Sequence, residues 1–263
     1  MDDAPTIRTD AHVRTLVVTI DRPGVRNAID GPTAAALHDA FVAFDADDRF
    51  DVAVLTGVGA TFCAGADLKA IGAGRGNRVD EDVSKPGPLG CTRLVLDKPV
   101  IAAVEGFAVA GGLELALWCD LRVAAVDATF GVYCRRWGVP LVDGGTVRLP
   151  RLIGHSRALD MILTGRGVGG EEAFGWRLVN RLSAPGEALA DALVLADHLA
   201  AFPQACLRSD RRSSYEQWGL GLTDALANET RHGLVPIRAG ETVAGAARFA
   251  GGEGRHGEGT VSG

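Results

Sequence analysis

Short β-branched runs alternate with stretches of helical spacing through the first 130 residues. "VRTLVVTI" (13–20), "DVAVLTG" (51–57), "PVIAAVEG" (99–106) and "LRVAAVDA" (121–128) are flanked by turn residues and predict strands. Between the first two, Leu37, Phe41 and Phe44 recur at helical spacing and predict a helix. After the third, "GGLELALWCD" (111–120) opens on two glycines and then reads as a helix. Strands separated by helices need parallel connections, which predicts a mixed α/β core. Further along the pattern changes. "SRALDMILTG", "GEALADALVLADHLAAF", "LGLTDALANETRHGLV" and "GETVAGAARFA" are helical, with few strand candidates and with Ser156 as the expected N-cap of the first. The predicted layout is an α/β core over 1–200 and a helical C-terminal region over 201–263. A polar stretch, "GAGRGNRVDEDVSKPGPLG" (72–90), interrupts the core, and a glycine-rich tail begins at Gly251. A loop this long inside a compact core usually carries function.

Composition narrows the function classes. The chain has 263 residues and a formal net charge of −6, which argues against a nucleic-acid partner. Arg208, Arg211 and Arg212 form a local basic cluster, and they are expected to make a solvated helix face. Five dispersed cysteines without a C-x-x-C pair imply reduced thiols rather than a zinc knuckle or redox motif. The six histidines lack H-E-x-x-H or H-x-H spacing, so no metal site is expected. "MDDAPTIRTD" lacks the basic and apolar regions of a signal peptide, and no apolar run reaches the roughly 18 residues of a membrane span. The expectation is a cytoplasmic protein with no membrane partner.

One acid stands out. Glu114 lies in an apolar run directly behind Gly111 and Gly112. An acid in such surroundings has a partner, a raised pKa or a role in proton transfer. Its structural alternatives are a first-turn acid complementing the helix dipole, or half of a buried salt bridge. Two turns rich in small residues, "TFCAGADLKAI" (61–71) and "FAVAGGLELA" (107–116), each lead into a helix. Amides left unpaired there suit an oxygen that gains negative charge. The plainer reading of the first turn makes Asp67 an N-cap. "GRGVGG" (165–170) fits the dinucleotide pattern G-x-G-x-x-G, with Glu187 at a tolerable distance. It follows a helical segment where that pattern requires a strand, which speaks against a dehydrogenase. No G-x-S-x-G supports a serine hydrolase.

"FCAGADLK", "PVIAAVEGFAVAGGLELALWCDLRVA", the Phe130–Gly131 pair, "GGTVRLPRLIG" and "LTGR…EEAFGWRLVN" together resemble the enoyl-CoA hydratase/isomerase (crotonase) superfamily. The resemblance runs from about Val13 to the C-terminal helices. It implies an α/β fold, a spiral of repeated ββα units with a C-terminal helical region that builds trimers or hexamers. It implies acyl-CoA thioester substrates and no separate cofactor, coenzyme A entering as part of the substrate. By position the oxyanion hole falls on the amides of Ala66 and Gly111. Ala64 and the stretch Ala66, Asp67, Leu68 and Lys69 match a coenzyme A-binding segment. "RPGVRNAI" (22–29) matches the other, with Ala28 in it and Arg26 as the phosphate-side cation. The loop at 72–90 falls where the family has a variable acyl-pocket wall.

Glu114 matches the first glutamate of the family's hydratases, which act on water with two. Cys134 occupies the place of the second, in "FGVYCRRWG". A thiol is a poor substitute for a carboxylate in deprotonating water, so Cys134 reads either as a small apolar filler or as a catalytic thiol. Asp143, in "GVPLVDGGT", reads as a turn or cap residue or as the replacement acid, because some branches of the family carry a functional aspartate there. Three functions remain open at this point: a hydratase-type lyase using Glu114 as acid/base, an isomerase needing only that one base, and an inactive coenzyme A-binding protein.

Overall fold

The computed structural model describes residues 5–253, so most of the glycine-rich tail lies outside the described residues. The chain begins with an antiparallel hairpin, β1 (Ile7–His12) and β2 (Thr15–Ile20), followed by helix α1 (Gly31–Ala46) and strand β3 (Val52–Gly57). Then come α2 (Leu68–Gly72), β4 (Val100–Val104), β5 (Phe107–Val109), α3 (Gly111–Trp118), β6 (Leu121–Ala125) and β7 (Thr129–Gly131). The next segment holds α4 (Gly145–Ile153), α5 (His155–Thr164), β8 (Gly167–Gly169), α6 (Gly170–Gly175) and β9 (Arg181–Ser183). Four helices end the described chain: α7 (Ala188–Ala200), α8 (Gln204–Glu216), α9 (Leu222–Arg238) and α10 (Glu241–Ala250).

The large sheet has the order β1-β2-β3-β4-β6-β9, parallel from β2 onward, and β5-β7-β8 form a small second sheet. The turn after β3 joins β5 through bridges at Thr61–Gly106 and Cys63–Ala108. Successive turns therefore each supply a long strand, a short crossing segment and a helix: β3 with residues 61–63 and α2, then β4-β5-α3, then β6-β7-α4. This is the expected ββα spiral. The central strands are buried on both faces, which is why they read as unbroken apolar runs. Val52, Val54, Ile101 and Ala103 pack toward Ala192, Leu195 and Ala196 of α7, while Ala53, Leu55, Ala102 and Val104 join the main core with Leu37, Phe41 and Phe44 of α1.

Helix α3 is buried along its whole length. A helix apolar almost all round belongs in a core. Its last carbonyls are met by Arg122, which donates through Nη1 to Cys119 O (2.8 Å) and Ala116 O (3.2 Å) and through Nε to Leu178 O (2.6 Å). Those bonds compensate a fully buried guanidinium and fix the far end of the helix.

Several expectations need correction. Strand β1, "IRTDAH", was not predicted: as an exposed edge strand it carries no apolar alternation. The three-residue strands β5, β7, β8 and β9 are too short to leave a periodic signal, and the last two lie in the part of the 1–200 core where few strands are expected. Helix α5 starts at His155 behind Gly154, so Ser156 is inside the helix and not its cap. Arg208 and Arg211 are not part of a solvated face: they bind Asp51 (2.7 Å) and Asp120 (2.8 Å) and tie α8 to the core, whereas Arg212 stays at the surface, paired with the exposed Asp97 (2.5 Å). Among the described residues no helix is long and apolar enough to cross a membrane.

Candidate active site

Two turns meet above the N-terminus of α3. Gly65 adopts φ +93° immediately before Ala66, and Ala110 adopts φ +55° immediately before Gly111. A positive φ is unfavourable for alanine, by about 1–3 kcal/mol, so the strain at Ala110 marks a turn that the surroundings over-determine. A Cβ on Gly65 would lie 2.7 Å from Gly111 N, and a Cβ on Gly111 would lie 3.5 Å from Ala66 N. The two turns are therefore in contact, and Gly65 is required by both space and conformation. Gly112 is constrained by space alone, because a Cβ there would lie 2.0 Å from Cys63 O. Among the described residues neither the Ala66 nor the Gly111 amide donates to a protein acceptor. Gly111 N–H also stands at the positive end of α3.

Glu114, one turn into α3, is 2% exposed. Its Oε1 accepts from Asp143 N (2.9 Å) and Gly145 N (2.8 Å), the amides that open α4. The carboxyl group thus serves the N-terminus of a neighbouring helix rather than its own, and no cation forms an ion pair with it among the described residues. Burial raises its pKa to about 7; the nearby Asp143 charge adds to this, and the bond from Gly145 opposes it. Glu114 does stand in the first turn of α3, as the dipole alternative expects, but its carboxylate bonds the amides of Asp143 and Gly145, and the salt-bridge alternative finds no partner among the described residues.

Asp143 is 4% exposed and adjoins Glu114. It is no cap: Gly144 holds that position of α4. Its Oδ1 accepts from Leu89 N (3.0 Å) and the Thr92 hydroxyl, and burial raises its pKa against those bonds and the Arg93 and Arg148 charges. Cys134 sits in a 3₁₀ turn and belongs to the hydrophobic core. Burial, then the Glu114 charge, raise its thiol pKa, which keeps it neutral. Leu89, Thr92, Gly145 and Arg148 complete the cluster and were not anticipated. Arg148 donates to Asp143 O (2.8 Å) and Thr92 O (2.7 Å), closing a ring of contacts around the acids.

The expected coenzyme A residues form one edge next to these turns. Ala64 N donates to Arg26 O (3.1 Å), Ile29 N to Gly65 O (2.8 Å) and Asp67 N to Ile29 O (2.8 Å), so the two predicted segments lie side by side. Ala28 is buried, Ala64 and Ala66 are half-buried, and Arg26, Leu68 and Lys69 are exposed. Asp67 caps α2, accepting from Lys69 N and Ala70 N at 3.1 Å each. It also pairs with Arg22 (3.2 Å), which in turn holds Asp30 (2.9 Å). Its side chain is thereby committed to the fold.

Two surface cavities lie elsewhere. One of about 380 Å³ is lined by residues such as Asp210, Leu226 and Glu229, and another of about 300 Å³ is bounded by Phe202 and Arg248. Neither brings convergent donors and perturbed acids together, so the chemistry locates the site. Among the described residues no cluster of histidine, cysteine, aspartate and glutamate is suited to a metal ion.

Comparison with known proteins gives a consistent result. The family model described as "Enoyl-CoA hydratase/isomerase" matches residues 11–237. Carnitinyl-CoA dehydratase of Salmonella arizonae is 43% identical over 186 residues, 70% of each chain, and that of Salmonella typhi is 42% identical over the same span. The crystal structure of an enoyl-CoA hydratase from Mycobacterium marinum superposes with a TM-score of 0.87 at 38% identity, covering 94% of this chain and 96% of that one. One from Mycobacterium tuberculosis gives 0.86 at 37%, covering 93% and 97%. With its spiral fold, its paired turns and these likenesses, the chain belongs to the enoyl-CoA hydratase/isomerase family.

Proposed function

We propose that this protein is a lyase of the enoyl-CoA hydratase type, adding water to, or removing it from, an acyl-CoA thioester. The carrying observation is Glu114: deeply buried, anchored at one oxygen by two amides, without a cation partner, and raised to about 7. A general acid/base works best with a pKa near the ambient pH. In hydration, the water oxygen bonds to the β-carbon and the C=C pair moves onto the α-carbon, forming an enolate. Its charge rests on the thioester oxygen, where the amides of Ala66 and Gly111 are the donors. One carboxylate takes the proton of the water and the other returns a proton to the α-carbon; Glu114 and Asp143 fill these two roles. Dehydration is the reverse.

Cys134 then has no proton to move, and it is best read as the apolar filler. Arg26 and Lys69 are the exposed cations available to coenzyme A phosphates. Relatives named dehydratase and hydratase support water chemistry over a double-bond shift. A homotrimer or hexamer fits the exposed Leu222, Leu226 and Val243 of the C-terminal helices, which other copies would cover.

The test uses 2-enoyl-, 3-hydroxyacyl- and 3-enoyl-CoA esters, with products identified. Wild-type protein is expected to interconvert the first two. Glu114→Gln should lower kcat by on the order of 10²–10⁴ while KM changes little. Turnover confined to the 3-enoyl ester would replace this reading with an isomerase, and an undiminished Glu114→Gln enzyme would remove Glu114 from the mechanism.

A further inference from the structure

Position 92 belongs to the short 3₁₀ turn Cys91–Arg93, just past the polar loop. Thr92 is 1% exposed, and its hydroxyl donates to Asp143 Oδ1, the same oxygen that accepts from Leu89 N. Asp143 Oδ2 accepts from no described group. The carboxylate is therefore asymmetric, with one oxygen saturated and one left over. The Thr92 carbonyl is itself held by Arg148, whose other arm holds the Asp143 carbonyl, and Asp143 N donates to Glu114. Gly87 allows the loop to close over this pair, since a Cβ there would lie 2.1 Å from Thr92 Oγ1 and 3.2 Å from Asp143 Oδ1. The end of the polar loop, the second acid and the first acid are thus joined in one chain of hydrogen bonds.

We propose that Thr92 is the positioning residue of the second acid: with the Leu89 amide it occupies one oxygen of Asp143 and reserves the other for proton transfer. The proposal rests on the reading of Asp143 as the partner of Glu114. Thr92 itself moves no proton; it acts through Asp143. The titratable and charged groups around that carboxyl are Glu114 from α3, Arg148 from α4, and Cys91 and Arg93 from the 3₁₀ turn, all of which the substitutions at Thr92 retain.

Loss of a donor to the ionised form raises a carboxyl pKa. A pair that works with a single shared proton gives a bell-shaped pH profile, and its acid limb reports the first acid of the two to ionise. Thr92→Val, nearly the same shape without the hydroxyl, is expected to lower kcat by on the order of tenfold. It should also move the acid limb of kcat/KM to higher pH and leave KM within about twofold. Thr92→Ser should restore both. Thr92→Ala should show the same limb shift, which keeps the test available if valine is not accommodated. In an Asp143→Asn background Thr92→Val should cost nothing further, because the oxygen it serves is no longer an acid. A Thr92→Val enzyme with the wild-type limb and kcat would overturn the proposal, as would an equal loss in the Asp143→Asn background. If Glu114→Gln abolishes turnover while Thr92→Val is silent, only this proposal fails. If Glu114→Gln is also silent, the two-acid mechanism on which this proposal rests fails first.

Discussion

Glu114 and Glu216 carry the same side chain and are held at opposite extremes. Glu216, at the end of α8, is partly exposed and accepts from His232 (2.8 Å), Arg212 (3.0 Å) and Asn228 (3.0 Å), which hold its pKa down to about 2. Glu114 is buried, accepts only from backbone amides, and is raised to about 7. The number of hydrogen bonds is similar. What differs is exposure and the presence of cations: two full charges stand against Glu216 when His232 is protonated, and none pairs with Glu114. An acid that only ties helices together stays ionised at every ordinary pH. An acid meant to give and take a proton is kept dry and forms no ion pair among the described residues, the Arg148 charge reaching it only from a distance.

The sharpest way to break this contrast is to crowd the Glu114 carboxyl. A Cβ at Gly145 would lie 2.9 Å from its Oε1, so Gly145→Ala should displace the group. Steady-state assays are expected to show kcat lower by on the order of 100-fold, the usual penalty for misplacing a catalytic group by about 1 Å. Near-normal kcat in a folded Gly145→Ala enzyme would mean that the carboxyl does not act from this position.

Stability against pH separates the two glutamates more gently. The folded-state pKa of Glu114 lies above its unfolded value, so its penalty is absent below about 4.5 and fully present above about 7. Denaturant titrations of Glu114→Gln should show a gain of about 2 kcal/mol at pH 8 and little change at pH 4. Glu216 has the opposite sign, its contribution being present above about 4.5 and lost as pH falls toward 2. Glu216→Gln should cost less than about 1 kcal/mol at pH 7, since solvent screens this partly exposed group, and should leave turnover unchanged. Parallel pH slopes for the two variants would erase the distinction.

The legible parts of this molecule were those with local signatures. Glu114 showed itself as a charge in an apolar run, and the turns at 61–71 and 107–116 showed themselves by small residues ahead of a helix. The strands buried on both faces were visible as continuous runs of Val, Ile, Leu and Ala. What was hidden depends on distant partners. Nothing near Arg208 or Arg211 discloses that acids as remote as Asp51 and Asp120 await them, so a docking face looks like a solvated one. Thr92 and Arg148 are ordinary polar residues until the fold brings them to Asp143. Strand β1 is amphipathic by neither period, because an edge strand exposed along Arg8–Ala11 is held by its backbone ladder to β2 and not by a buried face. The spare carboxylate at Asp143 could be noticed by position, but its one-sided bonding emerges only from the packed loop.

The most direct measurement is the titration of Glu114 itself, by infrared difference spectra of the carboxyl stretch between wild type and Glu114→Gln. A protonated-carboxyl band that disappears with a midpoint near pH 7 is the predicted result. A midpoint near the ordinary glutamate value of about 4.5 would contradict the account, because the buried acid would then hold no proton to deliver at neutral pH.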